Sequence, residues 1–224
     1  MPFDQARQPG PQGGGSGERA INLPAVILWL IGINVAIHVI RTYFLSEDFD
    51  QRLIMQFGLV PASYTGDADS TGADFLTLLA APIAYQFLHA NWLHVGVNMV
   101  TLAAFGAPVE RVLGPRRFVA FYLCAGIFAG FVHVVFFYDK MDPVIGASGA
   151  ISGLFGAVLI LMQRVGRMPS LVPIAVVWIG LNVFFGVVGG APGTGGEPVA
   201  WAAHIGGFVF GLLAVRWFIP RQTV

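Results

Sequence analysis

Charged side chains are scarce in this sequence of 224 residues, where Asp, Glu, Lys and Arg together make up 11%. A soluble domain of this size has about 25% charged residues, so the composition argues against an ordinary soluble globule. A single cysteine, Cys124, excludes an internal disulfide framework and any multi-cysteine zinc or iron–sulfur site. The formal net charge is zero, which argues against nucleic acid as a partner.

Apolar residues, by contrast, make up 56% of the chain and fall into six long segments. A helix needs about 20 residues to cross a bilayer. Five segments have that length with modest tilt, and the fourth, with 14 residues, is shorter. We therefore predict an all-α membrane protein, a six-transmembrane-helix bundle with a short fourth helix. The segments are Leu23–Leu45, Ala84–Phe105, Phe118–Tyr138, Gly149–Met162, Leu171–Val188 and Val199–Ile219.

The distribution of basic residues predicts how the bundle is oriented. With the amino terminus inside, the inner segments carry nine arginines and the outer segments three basic residues, which are Arg41, Arg52 and Lys140. Because basic residues favour the cytoplasmic side, we predict that both termini are cytoplasmic. Residues 1–22 contain Gly-Gly-Gly-Ser-Gly and little to bury, which predicts a flexible cytoplasmic tail ahead of a six-helix domain over 23–220. The connection over about 46–83 is then an external loop, part of which rests on or in the membrane.

Three polar clusters interrupt the apolar segments, where a polar group is costly and is a functional candidate. His94 and Asn98 are four residues apart on the second helix and share one face. Ser148 lies in Gly-Ala-Ser-Gly-Ala at the start of the short fourth helix, and His204 lies in Ala-His-Ile-Gly-Gly on the sixth. We expect the short helix to place Ser148 at the bottom of an outward-facing cavity that admits water.

Small residues on the fourth and sixth helices predict that the serine and the histidine meet. Such stripes let two helix backbones approach closely, and they are formed by Gly149 and Gly153 on one helix and Gly207 and Gly211 on the other. A serine becomes a nucleophile beside a base, and the His204 imidazole suits that role. The backbone N–H of Ser148 is a free donor at a helix start, and the His94 and Asn98 side chains would complete an oxyanion hole.

In these motifs the chain resembles the rhomboid family of intramembrane serine proteases. The family combines His-x-x-x-Asn on the second helix, Gly-x-Ser-Gly before the fourth and Ala-His-x-x-Gly in the sixth, and all three occur here in order. The resemblance implies a Ser148–His204 dyad without an acidic third member, and an oxyanion hole from His94, Asn98 and the Ser148 backbone. It implies no cofactor or metal, and it implies transmembrane proteins as substrates. Glu110, Arg111 and Gly114 resemble the family's turn after the second helix.

Two positions depart from the family pattern. Many members have an aromatic residue four positions after the nucleophile, under the catalytic imidazole, where this chain has Ser152. The orientation of His204 must then depend on other contacts, for which Phe155 is a candidate. Members also often carry a Trp-Arg pair in the first external loop, whereas Arg52 has no neighbouring Trp. His89 lies five residues before His94, and on a helix it would face away from the site.

Two other classes of protein are weighed against an intramembrane protease. Catalytically inactive rhomboid-like proteins bind or escort membrane clients, but they typically lack the serine or the histidine, and this chain has both. A transporter is disfavoured because no inverted repeat or matched pair of interrupted helices is detectable. No His-Glu-x-x-His metal motif occurs. The chain's brevity suggests a bacterial inner membrane.

Overall fold

The computed structural model describes residues 22–65, 71–190 and 199–220. Apart from Asn22, the segment predicted as a flexible tail lies outside the described residues. The described residues form eight α-helices, with single 3-10 turns at Pro61–Tyr64 and Tyr85–Phe87. The helices are α1 (Ala25–Phe44), α2 (Glu47–Phe57), α3 (Phe75–Ala84), α4 (Trp92–Leu113), α5 (Pro115–Phe136), α6 (Ser148–Arg164), α7 (Val172–Val188) and α8 (Trp201–Phe218).

The predicted all-helical membrane bundle is confirmed. Four helices, α1, α4, α5 and α8, have 18 residues or more and are apolar enough to span a membrane. Large apolar side chains are exposed along their surfaces, including Trp29 at 72% and Val100 at 72%. In water such surfaces would be costly, whereas lipid covers them at no cost. The protein is therefore a membrane protein.

The helix that begins with Ser148 is longer than predicted. Helix α6 has 17 residues rather than 14, because it continues through Gln163 to Arg164. At about 1.5 Å per residue it reaches about 26 Å, close to the hydrocarbon thickness of about 30 Å. Helix α7 also has 17 residues, and both helices are shorter than the four spans of 18 residues or more. The predicted length of 14 residues was three residues too short, and the position of Ser148 at the bottom of an outward-facing cavity stays a prediction.

The second predicted span begins eight residues too early. A helix start at Ala84 is prevented by the 3-10 turn at Tyr85–Phe87, and α4 starts only at Trp92. Asn91 caps this helix, since its side-chain oxygen accepts a hydrogen bond from the His94 N–H at 2.9 Å. Helix α4 then continues to Leu113 and ends at Gly114, whose φ is +75°.

Two sequence interpretations change with these boundaries. Glu110 and Arg111 belong to the last turn of α4 and not to a turn after it. His89 precedes the helix, so the helical argument that turned it away from the site does not apply. Its ring lies edge-on to His94, with the ring centroids 5.0 Å apart.

Helix α6 occupies the centre of the bundle. It packs against α8, α5 and α4, and most of its residues from Gly149 to Leu159 are buried. Helix α7 lies at the periphery and packs chiefly on α8. An apolar groove of about 350 Å³ runs between α7 and α6 and is lined by Phe155, Pro173, Ile174, Val177, Trp178 and Leu181. The helix carrying Ser148 is therefore held from three sides and is more open on the fourth.

Arg41, at the end of α1, anchors the connection between α1 and α4. Its guanidinium forms two hydrogen bonds with the Asp50 carboxylate, at 2.7 and 3.0 Å, and donates a third to the His89 carbonyl at 2.8 Å. Arg41 is only 6% exposed, whereas the Asp50 side chain is 22% exposed, so the arginine end of the pair is the end shielded from solvent. The connection thus has a firm anchor without the Trp-Arg pair that the sequence lacks.

Further contacts join the same connection to the segment before α6. Leu59 and Val144 exchange two backbone hydrogen bonds of 2.9 Å as an isolated antiparallel bridge.

Another hydrogen bond lies within the connection itself, where the Tyr64 hydroxyl donates to the Leu78 carbonyl at 3.0 Å. Partial burial raises the pKa of Tyr64 to about 12. Within this connection, α3 presents apolar surface, since Phe75 is 73% and Leu76 is 72% exposed; the contact of the connection with the membrane stays a prediction.

Candidate active site

Ser148 and His204 meet at the centre of the bundle. The Ser148 Oγ and the His204 Nε2 are 2.8 Å apart, a hydrogen-bond distance. Ser148 is the first residue of α6, and His204 lies in the first turn of α8. The two residues are 56 positions apart in the sequence and come together only through the packing of these helices. A hydroxyl beside an unprotonated ring nitrogen is the arrangement that activates a serine.

The predicted glycine stripes lie face to face where α6 crosses α8. A methyl group added to Gly207 would overlap the carbonyl oxygen of Gly149, and one added to Gly211 would overlap the carbonyl oxygen of Gly153. Both contacts are made with backbone atoms, which cannot rotate away. The crossing therefore needs glycine on α8. Gly156 belongs to the same contact, since a methyl group there would overlap the Phe208 carbonyl oxygen.

Gly146 lets the chain pass between His94 and the nucleophile. Its φ of +128° is a conformation that residues with a side chain rarely adopt. A methyl group there would lie 2.9 Å from His94 Nε2 and 3.7 Å from Ser148 Oγ. The Gly146 N–H donates to the Tyr85 carbonyl at 2.9 Å, which holds the turn in place. Gly146 therefore brings the His94 ring close to the start of α6.

The side chain of Asn98 lies one turn after His94 on α4 and is 5% exposed. Its Nδ2 donates one hydrogen bond to the His94 carbonyl at 3.0 Å. An amide nitrogen carries two hydrogens, so this bond leaves one donor. The Ser148 N–H is in the first turn of α6, where amides have no carbonyl four residues earlier in the helix. The His94 ring thus lies near the start of α6, Asn98 keeps one free amide hydrogen one turn further along α4, and their joint role as an oxyanion hole stays a prediction.

Asn182, on α7, is a site residue that the sequence interpretation missed. Its Oδ1 lies 2.7 Å from His204 Nδ1, on the side of the ring opposite to Ser148. A signal was present, since Asn182 is the single carboxamide in the apolar run of α7 and a polar group within a span is a functional candidate. Nothing in the spacing of the sequence pairs it with His204, 22 residues later.

His204 therefore has a different support from Phe155, which the sequence suggested in place of an aromatic residue at position 152. Phe155 packs against Trp178, with ring centroids 4.9 Å apart, and against Phe208, at 5.7 Å. The hydrogen-bond partner of the imidazole Nδ1 is Asn182. Phe155 thus acts on α7 and α8, whose positions decide where Asn182 and His204 lie. Ser152 is buried one turn below the nucleophile at 3% exposure.

In the described part of the chain, the three helices that carry Ser148, Asn182 and His204 hold no carboxylate, and no metal-binding cluster is found. Helices α6, α7 and α8 contain no Asp or Glu. Within residues 22–65, 71–190 and 199–220, no three His, Cys, Asp or Glu side chains lie close enough to hold a metal ion.

Comparison with known proteins gives a family match over most of these helices. The family model described as "Rhomboid domain" matches residues 78–221. The mouse protein named "Presenilin-associated rhomboid-like protein, mitochondrial" is 31% identical over 150 residues, which cover 63% of this chain and 38% of the mouse protein. The Arabidopsis thaliana "RHOMBOID-like protein 4" is 32% identical over 155 residues, covering 63% of this chain and 36% of that protein.

A yeast relative extends this similarity at lower identity. "Rhomboid protein 1, mitochondrial" of Saccharomyces cerevisiae is 28% identical over 159 residues, covering 67% of this chain and 44% of the yeast protein. The chain thus matches about two-fifths of the length of these relatives. The mouse and yeast proteins carry mitochondrial names, so the bacterial inner membrane suggested by the chain's brevity has no support.

Proposed function

Because the chain belongs to the rhomboid family, we propose that it is an intramembrane serine endopeptidase that cleaves membrane proteins within or beside a transmembrane segment. The observation that carries this proposal is the distance of 2.8 Å between Ser148 Oγ and His204 Nε2. The absence of Asp and Glu from α6, α7 and α8 supports catalysis by a Ser-His dyad without a carboxylate. The reaction requires no cofactor or metal.

The proposed reaction begins with proton transfer from Ser148 to His204. The Oγ attacks the scissile carbonyl carbon while Nε2 takes the hydroxyl proton. The tetrahedral intermediate collapses, the C–N bond breaks, and the imidazolium returns its proton to the leaving amine. Water then attacks the acyl-enzyme with His204 again as the base, which releases the carboxylate product and restores the serine.

The oxyanion of the tetrahedral intermediate would be held by donors at the start of α6. The Ser148 N–H, the second Nδ2 hydrogen of Asn98 and the His94 imidazole are the candidate donors. Asn98 is already oriented by its bond to the His94 carbonyl, at 3.0 Å. Donors that are fixed before the reaction stabilise developing charge without reorganising. The Ser148 peptide N–H would therefore act together with two side chains of α4.

The substrate must present an extended backbone to Ser148, so a transmembrane substrate has to unwind near the cleavage site. Small or helix-breaking residues lower the cost of unwinding a helix, and we expect them near the cut. The catalytically inactive, client-binding alternative predicts binding without cleavage. No described feature favours it, and the hydrogen-bond distance between Ser148 and His204 counts against it.

Orientation in the membrane is a further part of the proposal. When successive spans are taken to cross the membrane in alternating directions, one end of the bundle carries Arg117, Arg164 and Arg216 and the other end carries Ser148. We place both ends of the domain on this arginine-rich side. Impermeant maleimide should label Asp142→Cys and not Arg167→Cys in sealed right-side-out vesicles, with Cys124 replaced by serine. Labelling of Arg167→Cys without labelling of Asp142→Cys would show that the orientation is the reverse of the proposed one.

The proposed activity is tested with the purified full chain in proteoliposomes. The readouts are labelling by a fluorophosphonate probe and cleavage of a panel of tagged single-span substrates. We expect wild-type protein to be labelled and to cleave at least one substrate, and Ser148→Ala and His204→Ala each to abolish cleavage. Triad knock-outs cost on the order of 10⁴-fold or more, so both variants should fall below detection.

Ser152→Ala provides the matched control. It removes a buried hydroxyl from the same helix one turn away and should keep both labelling and cleavage. Retention of more than about a tenth of wild-type cleavage by His204→Ala would contradict the dyad, given the size of such losses in triads. A well-folded wild-type protein that is neither labelled nor cleaves any substrate, yet retains bound membrane proteins, would favour the inactive alternative.

A further inference from the structure

Asn182 makes two hydrogen bonds that link the backbone of α7 to the catalytic imidazole. Its Nδ2 donates to the Trp178 carbonyl at 2.9 Å, and its Oδ1 lies 2.7 Å from His204 Nδ1. The residue is only 7% exposed, so bulk solvent is not a competing partner. In an apolar helix the burial of a carboxamide is costly unless its groups are paired, and both of these are.

The bond to Trp178 decides which end of the amide faces the histidine. If the amide were rotated by half a turn, Oδ1 would face the Trp178 carbonyl oxygen, and two acceptors would be opposed. The observed orientation therefore places an acceptor at His204. Since Oδ1 carries no hydrogen, the hydrogen of this 2.7 Å bond must be on Nδ1 of the ring. A neutral imidazole protonated on Nδ1 has its lone pair on Nε2, which faces the Ser148 hydroxyl.

The same intrahelical bond occurs at Asn34 and Asn98, whose Nδ2 groups donate to the carbonyls of Leu30 and His94. This bond alone is thus a common way to bury asparagine in these helices. Asn34 is fully buried, and its Oδ1 has no hydrogen-bond partner among the described residues. Asn182 differs because its oxygen is bonded to a catalytic side chain.

Packing on both sides of Asn182 fixes its distance from α8. One turn earlier, Trp178 lies against Phe155 and Phe208, with ring centroids 4.9 and 6.2 Å away. One turn later, Gly186 lies against the ring of Trp201, which would overlap any methyl group added there. The Asn182 side chain is therefore held between two contacts that tie α7 to the core.

We propose that Asn182 is the positioning residue of this site and holds neutral His204 in the Nδ1–H tautomer, with Nε2 aimed at Ser148. The proposal rests on the proposed function, because it adds a positioning residue to the Ser148–His204 dyad. A carboxamide suits a site within the membrane because it orients the ring without a buried negative charge. During catalysis its oxygen dipole also stabilises the imidazolium that forms when Nε2 takes the serine proton.

The test compares Asn182→Leu with Asn34→Leu in the full chain. Both replacements remove the same intrahelical hydrogen bond and place a similar apolar side chain in a buried position, so losses due to helix packing are shared. Cleavage of a single-span substrate is measured in proteoliposomes as separate kcat and KM values. We expect Asn182→Leu to lower kcat about 100-fold with little change in KM, as for a misplaced catalytic group, and Asn34→Leu to keep the wild-type kcat.

Asn182→Asp is the rescue variant. A protonated carboxyl group reproduces both bonds, since its O–H donates to the Trp178 carbonyl and its C=O accepts from His204 Nδ1. We expect its kcat to lie within about tenfold of wild type, well above that of Asn182→Leu. A purely space-filling role would give the two variants equal kcat values.

Nitrogen NMR of wild-type protein labelled with ¹⁵N-histidine gives a readout that does not depend on activity. The His204 signals are assigned by their loss in His204→Ala. The proposal requires a protonated Nδ1 and an unprotonated Nε2 in the neutral ring, and a protonated Nε2 would overturn it whether or not any Asn182 variant folds. A kcat of folded Asn182→Leu equal to that of Asn34→Leu, with active wild type, would also overturn it. Inactive wild type contradicts the proposed function instead, and the tautomer still tests Asn182.

Discussion

Gly207→Ala adds one methyl group at the crossing of α6 and α8 and should separate the catalytic pair. The new Cβ would overlap the Gly149 carbonyl oxygen. It would be closer than 3.0 Å, a distance below which real Cβ contacts essentially never fall. Because this oxygen belongs to a helix backbone, the conflict is relieved by moving the helices apart, on the order of 1 Å to restore van der Waals contact. His204 lies one turn before Gly207, and Ser148 adjoins Gly149, so both catalytic residues move with the crossing.

The consequence for catalysis follows from the length of the Ser148–His204 hydrogen bond. A separation of 2.8 Å between Oγ and Nε2 would grow to about 3.8 Å, beyond the range of a hydrogen bond. An error of about 1 Å in placing a catalytic group can cost 100-fold. We therefore expect kcat for a single-span substrate in proteoliposomes to fall about 100-fold in Gly207→Ala, with a lowered unfolding temperature.

Gly180→Ala is the matched control for this experiment. Gly180 also lies within an apolar helix, α7, but a methyl group there meets nothing within 4 Å. Alanine is favoured over glycine in a helix by about 1 kcal/mol, so this variant should be as active as wild type and at least as stable. If Gly207→Ala kept activity within about threefold of Gly180→Ala, the close approach of the two backbones would not set the dyad distance.

Two further predictions concern the oxyanion hole and the anchor of the first connection. Asn98→Ala should lower turnover about 10²–10³-fold, as for loss of one oxyanion donor, and His94→Ala should be at least as damaging. Slow fluorophosphonate labelling of Ser148 should persist in Asn98→Ala, and its complete loss in a folded variant would contradict a role confined to the oxyanion. Asp50→Asn should lower the free energy of unfolding by about 1.5–3 kcal/mol, because Arg41 loses a charged hydrogen-bond partner. Unchanged thermal unfolding of Asp50→Asn would show that this ion pair does not stabilise the connection.

Short-range patterns in the sequence determined the helical class and most of the residues at the site. Apolar runs identify spans because each must be covered by lipid or protein over the bilayer thickness. The glycines of α6 and α8 were readable as a close crossing, since small residues every four positions form one stripe on a helix. Ser148, His94, Asn98 and His204 stand out because uncompensated polar groups are costly in such runs.

Helix ends were less readable than helix existence. Apart from Gln86, the residues from Ala84 through Leu88 are apolar or aromatic, so hydropathy gives no clear break where the 3-10 turn lies and α4 has not yet begun. The start of α4 is decided by Asn91, whose side chain caps the first turn. Hydropathy reports burial or lipid contact, whereas a helix end is set by local hydrogen bonds.

Partnerships between distant segments were decided only by the tertiary structure. Arg41 had no visible partner in the sequence, yet it binds Asp50 and the His89 carbonyl, 48 residues away. Asn182 was visible as a polar residue in an apolar helix, but its bond to His204 depends on where α7 packs against α8. The sequence shows which groups need a hydrogen-bond partner in the membrane, because that cost belongs to each residue. It does not show which partner they find, because that depends on how separate helices are packed together in space.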